Sequence, residues 1–165
     1  MTNEIKASKS STLDMKFEIA VIPVSDVDRA KAFYANLGWR LDADFGSGDD
    51  YRVIQFTPPG SSASVIFGKN VTSAAPGSAQ GLYLIVSDIA AARKELLDRG
   101  VKVSEAFHDA GGAYAEPAKP YLFGRKRFVG EAPDHRSYRT FASFSDPAGM
   151  AWRFQQSTNR RPVPE

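Results

Sequence analysis

The chain has 165 residues, 42% of them hydrophobic and 12% aromatic, which suits one compact domain or two small modules sharing a core. Its formal charge is only +2, with 21 basic and 19 acidic residues mixed along the sequence, and this argues against a dedicated nucleic-acid binder. The absence of cysteine excludes disulfides, thiolate metal sites and a cysteine nucleophile, and no apolar run approaches the ~20 residues of a membrane helix.

Residues 1–14 are polar and rich in Ser and Lys, without the apolar stretch of a secretory signal, and read as a flexible N-terminal tail. A cytoplasmic location is the expectation. Phe17 to Val24 is a β-branched and apolar run and reads as a strand. Ser25 follows as the expected N-cap of a helix, with Asp26 and Asp28 where the helix dipole favours acids. Ala30, Phe33, Tyr34 and Leu37 recur at i, i+3, i+4 and i+7, one face of that helix, and Gly38 is its stop. Three strand-like runs come next: Trp39 to Phe45, Tyr51 to Thr57 and Ser62 to Phe67. They are separated by Gly46-Ser47-Gly48 and Pro58-Pro59-Gly60, both strong turn signals.

The pattern then repeats. Val24-Ser25-Asp26-Val27 reappears as Val86-Ser87-Asp88-Ile89, with Ala30 matched by Ala92, Tyr34 by Leu96 and Gly38 by Gly100. Leu82 to Val86 is the second module's first strand, Ser87 its expected N-cap, and Ile89, Ala92, Arg93, Leu96 and Leu97 its helical face. Val101 to Ala106, Tyr138 to Phe144 and Ala151 to Gln155 are its remaining strands, the last two joined by Asp146-Pro147-Ala148-Gly149. The expected fold class is α+β, two tandem βαβββ modules. Module one spans 15–69 and module two 80–157, together one domain over 15–157, and 158–165 is a flexible C-terminal tail.

The helix-closing glycines Gly38 and Gly100 are 62 positions apart, whereas Phe56 and Phe144, each ahead of the last turn, are 88 apart. Module two therefore carries 26 extra residues, placed in a loop over 107–137. Loops this long in compact domains are usually functional or disordered. Tyr114, Tyr121, Phe123 and Phe128 favour a loop that packs over something, and Arg125-Lys126-Arg127 is a basic triplet expected at a solvated tip.

The run Ile22-Pro23-Val24-Ser25-Asp26-Val27-Asp28-Arg29-Ala30, with Phe33-Tyr34, Leu37-Gly38-Trp39 and the Phe144-Ser145-Asp146-Pro147-Ala148-Gly149 turn, resembles the vicinal oxygen chelate superfamily. This is the glyoxalase, bleomycin-resistance and extradiol-dioxygenase group. The resemblance implies modules whose sheets curl into an open cup with the helices outside, commonly in a homodimer. It also implies His or Glu ligands for a divalent metal on the first and last strand of each module. In this chain the corresponding positions, counted from the helix caps and turn glycines, hold Ile19, Ser64, Gly81 and Arg153. An aliphatic group, a hydroxyl, a missing side chain and a cation do not make such a site, so no metal and no other cofactor is expected. Glu18, His108 and His135 are the alternative ligands on which a metal-dependent lyase or dioxygenase would have to draw.

Period-two alternation selects the side chains that share the cup face. These are Ile19, Val21 and Pro23 on the first strand, Tyr51, Val53 and Gln55 on the third, and Tyr83 and Ile85 on the fifth. Arg139, Phe141, Ser143, Ala151, Arg153 and Gln155 follow on the last two. From these the expected ligand-binding residues are Arg153, Arg139, Tyr51, Gln55, Tyr83, Phe141 and Gln155, with the guanidinium of Arg153 suited to a carboxylate or phosphate. No catalytic residue is assigned. The expected function is binding of a small oxygen-rich or anionic organic molecule, with no nucleic-acid or membrane partner.

Overall fold

A computed structural model describes residues 9–109 and 127–158 of the chain. Tyr114, Tyr121, Phe123, Arg125 and Lys126, on which part of the loop reading rests, lie outside the described residues.

Module one runs β1 (Ile19–Val21), α1 (Val27–Asn36), β2 (Arg40–Ser47), β3 (Tyr51–Thr57) and β4 (Ser64–Lys69). Module two runs β5 (Leu82–Val86), α2 (Ile89–Asp98), β6 (Phe107–Asp109), β7 (Arg127–Val129), β8 (Thr140–Ser145) and β9 (Ala151–Gln156). Sheet one has the order β1-β4-β3-β2 and sheet two the order β5-β9-β8-β6-β7. In each, the module's first strand lies parallel to its last and forms one edge, while the other pairings are antiparallel. The repeat is thus a repeat of topology, and both sheets are open and mixed.

The helices start one residue later than the sequence suggests. Asp26 is the cap of α1, its Oδ1 accepting from the Arg29 amide at 3.0 Å, and Asp88 caps α2 through the Ala91 amide at 3.0 Å. A carboxylate at this position satisfies an orphan amide and also meets the positive end of the helix dipole, which a serine one residue earlier cannot do. Gly38 (φ +80°) and Gly100 (φ +79°) end the two helices in the left-handed conformation that the sequence calls for. Just before them the helices are tied together. Asn36 Nδ2 donates to the Arg99 carbonyl and Arg99 Nη1 donates to the Asn36 carbonyl, both at 2.9 Å.

One hydrophobic core runs through both modules. Ile54, Phe56, Val65 and Phe67 enter it from sheet one, and Ala142, Phe144, Trp152 and Phe154 from sheet two. Tyr34 of α1 is fully buried between these groups. Its hydroxyl donates to Asp146 Oδ2 at 2.8 Å and accepts from Trp152 Nε1 at 3.0 Å. Burial first, then the charge of Asp146, pushes its ionisation far upward, so the hydroxyl remains a donor throughout the accessible pH range.

Two strands differ from expectation. β1 is three residues long rather than spanning Phe17 to Val24. The segment 101–106 does not form a strand, and pairing begins only at Phe107. There Ser104 takes over the contact with β8, its amide donating to the Ser143 carbonyl and its Oγ accepting from the Ser143 amide, both at 2.9 Å. Leu97, placed on the apolar face of α2 by its spacing, is 48% exposed, and Ile89 and Leu96 carry the burial.

Candidate functional site

The alternation along the strands is as the sequence implies. With Ile54, Phe56, Val65 and Phe67 turned into the core, Tyr51, Val53, Gln55, Thr57, Ser64 and Ile66 occupy the opposite face of sheet one, outer in that it turns away from the core, which is the face expected to line the cup. With Trp152, Phe154, Ala142 and Phe144 turned inward, Tyr83, Ile85, Phe141, Ser143, Arg153 and Gln155 occupy the outer face of sheet two.

On sheet two the register brings several expected site residues together. Arg153 lies opposite Tyr83 on one side and Ser143 on the other, and Gln155 lies between Ile85 and Phe141. Arg153 is only 4% exposed. Its guanidinium carbon is 5.9 Å from the centre of the Tyr83 ring and 5.4 Å from that of Phe107, and it hydrogen-bonds the Tyr83 side chain. Phe107, buried on β6, stacks on Phe141 with ring centres 5.7 Å apart. Arg127 places its guanidinium 4.5 Å above the same Phe107 ring. Two cations thus share one aromatic surface, an arrangement stabilised by the negative face of the ring.

The electrostatics follow from this crowding. Burial depresses the pKa of Arg153, Arg127 depresses it further, and Tyr83 works the other way. Burial raises Tyr83 above an ordinary tyrosine, against the pull of Arg153. A guanidinium and a phenol are both hydrogen-bond donors, and the pair suits an anion. Among the other expected residues, Arg139 is turned to Asp134, Nη1 to Oδ2 at 3.3 Å, and Gln155 Nε2 reaches the Tyr138 carbonyl at 3.4 Å. Tyr51 and Gln55 belong to the other sheet, where Gln55 supports Asp42.

The cluster contains residues the sequence did not point to. Phe107 lay beyond the expected end of its strand. Arg127, expected at a solvated tip, is exposed but belongs to a strand, β7, where it pairs with Asp109. Tyr83 also lines a cavity of about 440 Å³ between the 58–63 turn of module one and β5 and α2 of module two, with Leu37, Trp39, Leu84, Leu96 and Phe154 among its walls. That volume is within the range of small-molecule sites.

The metal positions take a different register from the one counted in the sequence. Phe56 pairs with Val65 and Phe144 with Trp152, so the hairpin of module one is one residue longer and Ile66, not Ser64, is the structural equivalent of Arg153. Counting from the turn glycine misses this because module one has one residue fewer between its phenylalanine and the glycine and two more after the glycine. Ile19, Ile66, Gly81 and Arg153 offer no ligand atom, and a buried guanidinium opposes a divalent cation. The residues do not fit the family's metal. The histidines are engaged elsewhere. His108 Nδ1 contacts the Gly130 carbonyl at 2.8 Å and its ring stacks on Phe128, while His135 is a surface residue 4.0 Å from Glu131. Among the described residues, no group of three or more His, Asp or Glu side chains is placed to hold a metal ion. Among them also, no helix is long and apolar enough to cross a membrane.

A repeated βαβββ topology, two open mixed sheets and a site on their outer faces define a glyoxalase-type fold. The family model for the Glyoxalase/Bleomycin resistance protein/Dioxygenase superfamily matches residues 16–154, and the chain belongs to that superfamily. Among solved structures it is similar to TnmS3, an antibiotic binding protein from Streptomyces sp. CB03234 (28% identity, TM-score 0.61, 90% of this chain and 99% of that one). A glyoxalase/bleomycin resistance protein from the same Streptomyces shares 28% identity over 86% of this chain and 100% of its own, with a TM-score of 0.59. A superfamily member from Sphaerobacter thermophilus DSM 20745 shares 26% identity over 87% and 98%, with a TM-score of 0.60. No curated protein sequence matches the chain.

Proposed function

We propose that this protein binds a small, oxygen-rich or anionic organic molecule on the outer face of sheet two, without a divalent metal. The observation that carries the reading is Arg153, a guanidinium 4% exposed at a position where the fold family otherwise places a metal ligand. A cation in that setting, with Arg127 beside it, is stabilised by an anion that the two share. Tyr83 adds a phenolic donor, and Phe107 and Phe141 an aromatic floor. The similarity to an antibiotic binding protein supports sequestration over turnover. A homodimer goes with this reading.

A thermal-shift screen against aromatic carboxylates, phosphates and their neutral esters tests it. Acids are expected to raise the melting temperature and their esters not, since a ligand stabilises in proportion to its occupancy. Arg153→Met is expected to weaken the best acid by at least ~10-fold, the loss of one charge-assisted hydrogen bond. Unchanged affinity in that variant refutes the assignment. Elemental analysis of protein purified without a chelating tag is expected to find no stoichiometric divalent metal. A metal found there favours the lyase or dioxygenase alternative.

A further inference from the structure

On sheet one, the outer face carries a chain of three hydrogen-bonding side chains that the anion reading does not use. Asp42 sits in a bulge of β2, between Leu41, which pairs with Phe56, and Ala43, which pairs with Gln55. Having no residue opposite, it turns its carboxylate to the Thr57 hydroxyl, and Thr57 Oγ1 lies 2.7 Å from Ser64 Oγ. Thr57 is 5% exposed and Ser64 7%. Arg40 Nε is 2.5 Å from the other oxygen of Asp42 and, ahead of Thr57, holds the carboxyl below the usual carboxylate range.

The charge state fixes the direction of every proton in the chain. An ionised carboxylate only accepts, so Thr57 donates to Asp42. A hydroxyl has one proton, so Thr57 can only accept from Ser64, and the Ser64 proton is committed inward. What remains to an incoming ligand is a lone pair on Ser64 Oγ. Ile19 lies directly opposite Ser64 in the register and Ile66 two residues along its strand, so the acceptor has aliphatic neighbours on both sides.

We propose that Ser64, oriented by Thr57 and Asp42, is the acceptor of a second subsite that selects an N–H or O–H donor carried on an apolar ring. A single acceptor in apolar surroundings discriminates sharply, because a ligand group that cannot donate leaves it desolvated and unpaired. The chain orients the serine and does not activate it, since a carboxylate with a lowered pKa is a weaker base. The subsite is on the other sheet from Arg153 and stands or falls independently of the anion site.

Two ring probes of similar size test it by ¹H–¹⁵N NMR titration of the full chain: indole, a donor, and quinoline, an acceptor only. Indole is expected to give saturable shifts at the amides of Ile19, Ser64 and Ile66 and to bind ~10-fold more tightly than quinoline, the worth of one hydrogen bond. Ser64→Ala is expected to remove the preference while the rest of the spectrum stays in place. Thr57→Val frees the Ser64 proton and is expected to reverse the preference toward quinoline, an outcome that a purely structural role for the chain does not produce. Equal binding of the two probes overturns the proposal. So does a preference that survives Ser64→Ala, or the absence of saturable indole shifts at these amides.

Discussion

At the scale of single residues, Tyr34 shows how one hydroxyl can organise a core. It is fully buried, donates to Asp146 and accepts from Trp152 Nε1, so Tyr34→Phe removes one oxygen and strands two groups. Leaving a buried carboxylate and an indole N–H without that partner costs about 2 kcal/mol. Thermal melts of Tyr34→Phe are expected to show a drop of ~4–8 °C, given how stability scales with melting temperature in domains of this size. Periodicity placed Tyr34 on the buried face of α1, but it did not give its partners. The helix caps were legible to within one residue, since Ser25 and Asp26 are both good caps and only the backbone decides between them. Arg153 was legible as an outer-face cation by strand parity. Its neighbours were not, because Phe107 and Arg127 meet through β6 and β7, whose pairing depends on the long insertion.

At the scale of elements, the strands carry devices that alternation alone does not reveal. The bulge in β2 leaves Asp42 without a residue opposite and reverses the faces of the residues after it, and a period-two reading cannot detect an inserted residue. Beyond it, Asp44 joins α1 to sheet one, contacting Lys31 at 2.8 Å and Arg52 at 3.0 Å, while Arg52 also reaches Asp28 at 2.7 Å. Hydrogen bonds from Arg52 first, and then Lys31, hold Asp44 well below the usual carboxylate range. A carboxyl whose folded pKa is depressed contributes stability above its unfolded value of ~4 and loses it as the pH falls toward the folded value. Melts of Arg52→Met are therefore expected to lie below those of the native chain at pH 7, with the gap narrowing steadily from about pH 4 down to pH 2. Gly68 marks a second device. A Cβ there would stand 1.8 Å from the Arg52 carbonyl oxygen of the neighbouring strand, and backbone cannot yield as a side chain can. Gly68→Ala is expected to destabilise by more than ~2 kcal/mol, read by chemical denaturation, because it forces β3 and β4 apart.

At the scale of the whole molecule, the duplication was the most legible feature of the sequence, because matched caps and helix stops recur at one offset and each has a local physical cause. What the repeat could not convey is how its copies have diverged. The hairpins differ both in length and in where the turn glycine falls, which together moved the equivalent of Arg153 from Ser64 to Ile66. The outer faces have diverged as well, one toward a polar chain ending on Asp42 and the other toward paired guanidinium groups over an aromatic ring.

The bond between Tyr34 and Asp146 has no mirror image. The repeat pairs Tyr34 with Leu96, and the Thr57-Pro58-Pro59-Gly60 turn of module one has no acid to stand for Asp146. Two copies of module two brought together would face an aspartate with a leucine, and two copies of module one would leave the tyrosine hydroxyl with no carboxylate. Only unlike halves satisfy each other. The contact therefore acts as a recognition code between the two halves, and it makes the chain dependent on the difference between its modules.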